Sequence, residues 1–207
     1  DVAPITSKFD ELQQNDPNLY LAAEDQRSTL DSHLDTINSE LLSKNPDGEK
    51  IMASVGSMLK QLATIDRAKN SDNEDEAKLG QALDEYLSSK NSRLRKFAKL
   101  FEITTDDEQF IASLATQQAF DKVDAFSEED LARVQQLGTK VLFAKRFDND
   151  EGIEPVNQVF LSALQTVMEG GMPDSAVAQS VGEYAAIKTM ARVSHDVALS
   201  DSDPQFV

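Results

Sequence analysis

His33 and His195 are the only imidazoles among 207 residues, and cysteine is absent, so neutral-pH general bases and nitrogen or thiolate metal ligands are scarce. Helical bundles that hold two metals set Glu-x-x-His on one face, because an offset of three brings both ligands to the same side. Three positions before each histidine stand Leu30 and Arg192, which removes that class. The H-E-x-x-H, phosphate-loop and G-x-S-x-G patterns are missing as well. The missing cysteines also exclude disulfide scaffolds and cysteine nucleophiles.

His195 is followed directly by Asp196, a pairing that resembles adjacent ligands in HD-type metal hydrolases over two residues only. Such a centre needs a further His and a further Asp, and His33 is far off on a surface-facing position of the first long helix. A cation near the C-terminus of the last helix, complementing its dipole, is the simpler reading. The acidic loops do not fit a calcium-binding register either. With Gly152 at the sixth position the first is Phe147 and the last Gln158, and with Asp148 first the sixth is Ile153. No cofactor is expected, and a non-enzymatic function is preferred because convergent ionisable groups are not recognisable, with a metal-dependent hydrolase using His195 and Asp196 kept as a second alternative to a binding function.

One stretch does stand out chemically. Lys90, Arg93, Arg95, Lys96 and Lys99 are interleaved with Leu94, Phe97, Leu100 and Phe101 in a chain of net charge −17. From Glu102 to Asp130 there follow nine acids, Asp106 and Asp107 among them, against the single base Lys122. A basic run beside an acidic run is a charge couple. Internal docking ranks first among its uses, partner binding second and a membrane surface third. The expected function is therefore non-enzymatic protein–protein binding through Arg93, Arg95, Lys96, Phe97, Lys99, Phe101, Asp106 and Asp107. The partner's identity is open, and self-association is a further use of the same charges. Nucleic acid is excluded as a partner by the acidity of the chain, since phosphate neutralisation needs a basic face.

The elements that must position these residues read as helices almost throughout. Apolar positions recur at three and four, and no stretch alternates in the manner of a strand. The fold class is all-α, a bundle of seven to nine helices with an N-terminal αα-hairpin packed on a Phe-rich body. Asp16-Pro17 opens a helix whose face carries Leu30, Leu34, Ile37 and Leu41. Asn45-Pro46-Asp47-Gly48 is a turn, with Gly48 supplying a left-handed residue. The next face carries Ile51, Val55, Met58, Leu62 and Ile65. Asn70 to Glu76 connects to a helix through Leu79, Leu83, Tyr86 and Leu87. Asn91-Ser92 interrupts that pattern, which restarts in the basic run as an amphipathic helix. Thr105 to Glu108 and Ser127 to Asp130 have capping-box spacing, Glu154-Pro155 opens a further helix that Gly170-Gly171 ends, and a last helix runs from about Pro173 to His195. The residues after it read as a frayed tail.

The organisation expected is a single domain, 1–207, with a Leu-rich lobe (1–89) and a Phe-rich lobe (90–207). Phenylalanines crowd the middle of the chain. Phe110, Phe120, Phe143, Phe147 and Phe160 offer an alternative function, a carrier holding a lipid-like ligand in a Phe-lined cavity, although large aromatics normally fill a core. Ala178, Gly182 and Ala185 form a small-residue seam suited to a helix crossing. No stretch is long enough to span a bilayer. The start at Asp1, with no Met and no apolar leader, favours a secreted or periplasmic protein.

Overall fold

The computed structural model describes residues 7–121 and 126–201, with the side chains of 121 and 199–201 excepted. Lys122, Asp124 and the side chain of Asp121, all in the acidic stretch, lie outside the described residues, as do residues 202–207 of the expected tail. Among the described residues the chain is all-helical, with nine α-helices and one 3₁₀ segment. It divides into two compact units, Asp1–Phe101 and Glu102–Val207. The basic segment therefore belongs with the first unit.

In the first unit, α1 (Lys8–Asn15) starts at a reciprocal cap. Asp10 N–H donates to Ser7 Oγ at 3.2 Å and Ser7 N–H donates to Asp10 Oδ2 at 3.1 Å. Asp16 caps α2 (Pro17–Leu41) by accepting from Leu19 N–H, with Pro17 in the first turn, as the sequence implies. Asp47 caps α3 (Gly48–Lys69) and Asn73 caps α4 (Glu74–Ser88). Helices α2, α3 and α4 pack pairwise on one another, and α1 lies against α2 and α4. Their shared core holds Leu30, Leu34, Ile37, Ile51, Val55, Met58, Leu62, Ile65, Leu83 and Leu87. Lys69 ties α3 to α4, reaching Asp66 and Asp84 at 3.2 Å each. After α5 (Asn91–Leu94) the backbone tightens into the 3₁₀ segment Arg95–Phe101.

Several local expectations change. Gly48 is no left-handed turn residue but the first residue of α3; the left-handed positions are Asn149 (φ 71°) and Gly152 (φ 89°). Leu41 is 45% exposed, because it falls in the last turn of α2, where the packed face has run out. The helix expected from Glu154-Pro155 starts three residues later, where Asn157 accepts from Val159 N–H. The last helix begins at Ala176 and continues past His195 to Asp201.

The second unit contains α6 (Thr105–Asp121), α7 (Glu128–Arg146), α8 (Gln158–Gly171) and α9 (Ala176–Asp201). Helix α7 runs antiparallel to α6, with Lys140 beside Asp107 and Arg133 beside Phe110. Helix α9 runs antiparallel to α8, with Gln158 bonded to Thr189 and Gln165 beside Gly182. Val134, Leu137, Val141, Leu142, Phe143, Phe147, Phe160, Leu161, Leu164, Val167, Val177 and Val181 fill the interior. From Met190 to Ala198 every residue of α9 is exposed, an overhang of more than two turns.

Candidate functional site

The basic segment takes its shape from its apolar edge. Leu94 is fully buried, and Phe97 and Phe101 nearly so, while Arg93, Arg95, Lys96 and Lys99 are exposed. Burying a side chain of that size contributes about 1.5–3 kcal/mol, against 0–1 kcal/mol for an exposed ion pair, so the rings and not the cations hold the segment in place. The expected α-helix covers only Asn91–Leu94. From Arg95 onward the spiral is 3₁₀, with about three residues per turn and a rise of about 2.0 Å per residue. At that pitch side chains three apart stand above one another, so Lys96 and Lys99 align, and Arg93 extends the row. No ion pair engages Arg93, Lys96 or Lys99 among the described residues. Successive charges about 6 Å apart repel by about 0.7 kcal/mol even in water. Lys90, at the start of the run, lies over the Tyr86 ring, 4.9 Å from its centroid.

Of the acids assigned to the same surface, Asp106 is exposed and Asp107 is buried. Asp107 accepts from Thr104 N–H at 3.1 Å and from Lys140 Nζ at 2.5 Å, with Arg133 at 3.8 Å. Burial alone would raise its carboxyl, but the bonds from Lys140 and Thr104 outweigh that and hold it below the ordinary aspartate value. Thr104, not Thr105, is the cap: Asp107 N–H donates to its Oγ1 at 3.3 Å. Asp107 thus closes the start of α6 against α7.

The five phenylalanines of the carrier alternative occupy unlike places. Phe143, Phe147 and Phe160 are buried, the first two with centroids 4.7 Å apart. Phe110 is half-buried beneath the Arg133 guanidinium, 4.0 Å from its centroid, and Phe120 is 83% exposed. A cavity of about 300 Å³ reaches Phe147, but its lining is mixed, with Asp148, Asp150, Glu154 and Lys188 beside Ile153 and Val156, and Phe147 is the one phenylalanine in it. His195 Nδ1 and Asp196 Oδ1 stand 3.9 Å apart on the overhang of α9, both side chains well exposed. Among the described residues no group of three or more His, Asp or Glu side chains is placed to hold a metal. The small-residue seam buries Ala178 and Ala185, whereas a Cβ on Gly182 would come no closer than 3.7 Å to Gln165.

Sequence reasoning missed a second polar arrangement, where α1, α2 and α4 meet. Tyr86 OH donates to Asp31 Oδ1, and Arg27 pairs with Glu24 one turn earlier. The Arg27 guanidinium stands over two rings, 5.6 Å from the Phe9 centroid and 5.7 Å from that of Tyr86. Burial first, and then the Asp31 carboxylate, push the Tyr86 hydroxyl up to about 12. The i,i+3 spacing of Glu24 and Arg27 was visible; their convergence with residues 9 and 86 is tertiary. The chain matches no family model, no curated protein and no solved structure.

Proposed function

We propose that the protein is a non-enzymatic binding protein, and that the row Arg93, Lys96 and Lys99, flanked by Arg95, receives an acidic segment of a partner protein. The observation that supports this reading is the alignment of the exposed cations Arg93, Lys96 and Lys99, which make no ion pair among the described residues, on a segment anchored by Leu94, Phe97 and Phe101. Their spacing of about 6 Å along the spiral is close to the roughly 5–6 Å between Cβ atoms at i and i+3 or i+4 on a helix, so acidic side chains at those offsets can match the row. An acidic helix therefore meets the row charge for charge and relieves its internal repulsion. Phe97 and Phe101 act from beneath, as anchors of the segment and not as contacts. Asp107 supports the start of α6 within the second unit and takes no part in the row.

A helical peptide carrying Glu at every fourth position, labelled for anisotropy, is the direct probe. Binding at low ionic strength that weakens steeply as salt shortens the Debye length from about 30 Å to about 3 Å is expected, with loss of binding in the Arg93→Glu, Lys96→Glu, Lys99→Glu variant. Equal binding by that variant refutes the assignment.

A further inference from the structure

We infer that the groove between α1, α2 and α4 is a binding site for a small organic cation bearing N–H donors, an alkylammonium or guanidinium group. The groove has a volume of about 320 Å³, at the small end of ligand pockets. Its walls bring three aromatic rings (Phe9, Tyr20 and Tyr86) together with three carboxylates (Asp10, Glu24 and Glu85) and one cation, Arg27.

Rings and acids in one small concavity suit a cation on two counts. Ring faces attract positive charge, and carboxylates accept its N–H bonds. The protein already uses the rings in this way, since Arg27 lies over Phe9 and Tyr86 and Lys90 over Tyr86. The carboxylates are not all spent. Glu24 engages Arg27 through Oε1, while its Oε2 is buried and has no hydrogen-bond partner. An acceptor left without a donor is costly, and because Glu24 lines the groove, turning its carboxylate toward an ammonium there supplies one. The net charge of −17 adds a long-range field that concentrates cations near the chain. A competing donor is internal, since Arg27 Nε is also buried and without a hydrogen-bond partner.

Tyrosine emission reads out this choice, because the chain contains no tryptophan and two of its three tyrosines, Tyr20 and Tyr86, border the groove. Cadaverine is titrated at low salt, with tetramethylammonium, a cation without N–H donors, as the comparison. A saturable change with cadaverine at sub-millimolar to millimolar concentration is expected, about tenfold weaker in Glu24→Gln and unchanged in Glu49→Gln, which removes the same charge from an exposed site on α3. Should Glu24→Gln fail to fold by circular dichroism, Glu85→Gln takes its place with the same expectation. An absent response, equal binding by tetramethylammonium, or an equal loss in Glu49→Gln overturns the inference. The first of these is the result that closure of the Glu24–Arg27 pair upon itself would give.

Discussion

Lys140 Nζ lies 2.5 Å from Asp107 Oδ2 across 33 residues of sequence, joining the middle of α7 to the first turn of α6. The same ammonium donates to the Glu102 carbonyl at 2.9 Å, so one side chain fixes both the start of α6 and the backbone leading into it. Asp107 in turn completes the cap with Thr104. Removing either partner leaves a charged group poorly matched in a mostly buried setting.

Lys140→Met is therefore expected to lower stability at pH 7 by about 1.5–3 kcal/mol, the range for hydrogen bonds to charged groups. The pH dependence follows from the depressed Asp107 carboxyl. A folded-state value below the unfolded one contributes stability that is present above the ordinary aspartate value and is lost as pH falls through the folded value. Urea unfolding at pH 7 and at about pH 2.5 checks this, and the gap between wild type and Lys140→Met should narrow in acid. A gap independent of pH would mean that Lys140 acts through packing alone.

Two glycines on helix faces predict opposite outcomes. A Cβ on Gly80 would sit 2.3 Å from Lys69 N and 2.8 Å from the Ala68 carbonyl carbon, backbone atoms that have no rotamer in which to retreat. Gly80→Ala should force α4 away from the end of α3 at a cost of about 1–3 kcal/mol or more. A Cβ on Gly182 meets nothing nearer than 3.7 Å, an ordinary contact. Gly182→Ala should raise stability by about 0.5–1 kcal/mol through helix propensity. Thermal melts of the two variants test the pair, and destabilisation by both would show that α9 needs its glycine for some other reason.

That contrast marks where the sequence was legible. Periodicity identified the faces of α3, because Ile51, Val55, Met58, Leu62 and Ile65 all bury, and the caps at Asp16 and Ser127 are local chemistry spelled out within four residues. Gly182 drew attention through its small neighbours Ala178 and Ala185, whereas Gly80, with no such pattern, is the one that meets another backbone. Close approach depends on which helix arrives from elsewhere in the chain. The Leu94, Phe97 and Phe101 spacing predicts a buried edge correctly, yet its three-four steps are the α-helical rhythm and gave no sign of the 3₁₀ spiral, so the alignment of Lys96 with Lys99 was not readable. Acid content predicted exposed charge at Asp107, and a lysine 33 residues away decided otherwise.

The overhang of α9 predicts uneven protection within one helix. Val177, Val181, Tyr184 and Ala185 are buried, and from Met190 onward none of the described side chains is. Helical turns that bury no side chain draw little stability from packing, so the overhang depends on propagation from the packed turns. Amide exchange should be slow through residue 185 and approach the unprotected rate from about residue 192 onward. Strong protection over residues 192–198 would point to a partner covering Met190, Val193 and Val197.

Tyr86 supplies an alkaline counterpart to Asp107. Its hydroxyl donates to Asp31 within a partly buried cluster, and its ionisation is pushed up to about 12 from an ordinary value of 10.0. A group whose folded value is raised contributes stability that is fully present below its unfolded value and is lost as pH rises through the folded one, here between about 10 and about 12. Tyr86→Phe removes the donor and leaves Asp31 short of a partner, which should cost about 0.5–2 kcal/mol at pH 7 and abolish this part of the alkaline loss. Ultraviolet titration of tyrosinate absorbance locates the ionisation directly, and the late step should vanish in the variant. A late step that persists in Tyr86→Phe belongs to Tyr184, whose hydroxyl burial also raises, and would separate the Asp31 bond from the alkaline behaviour of the first unit.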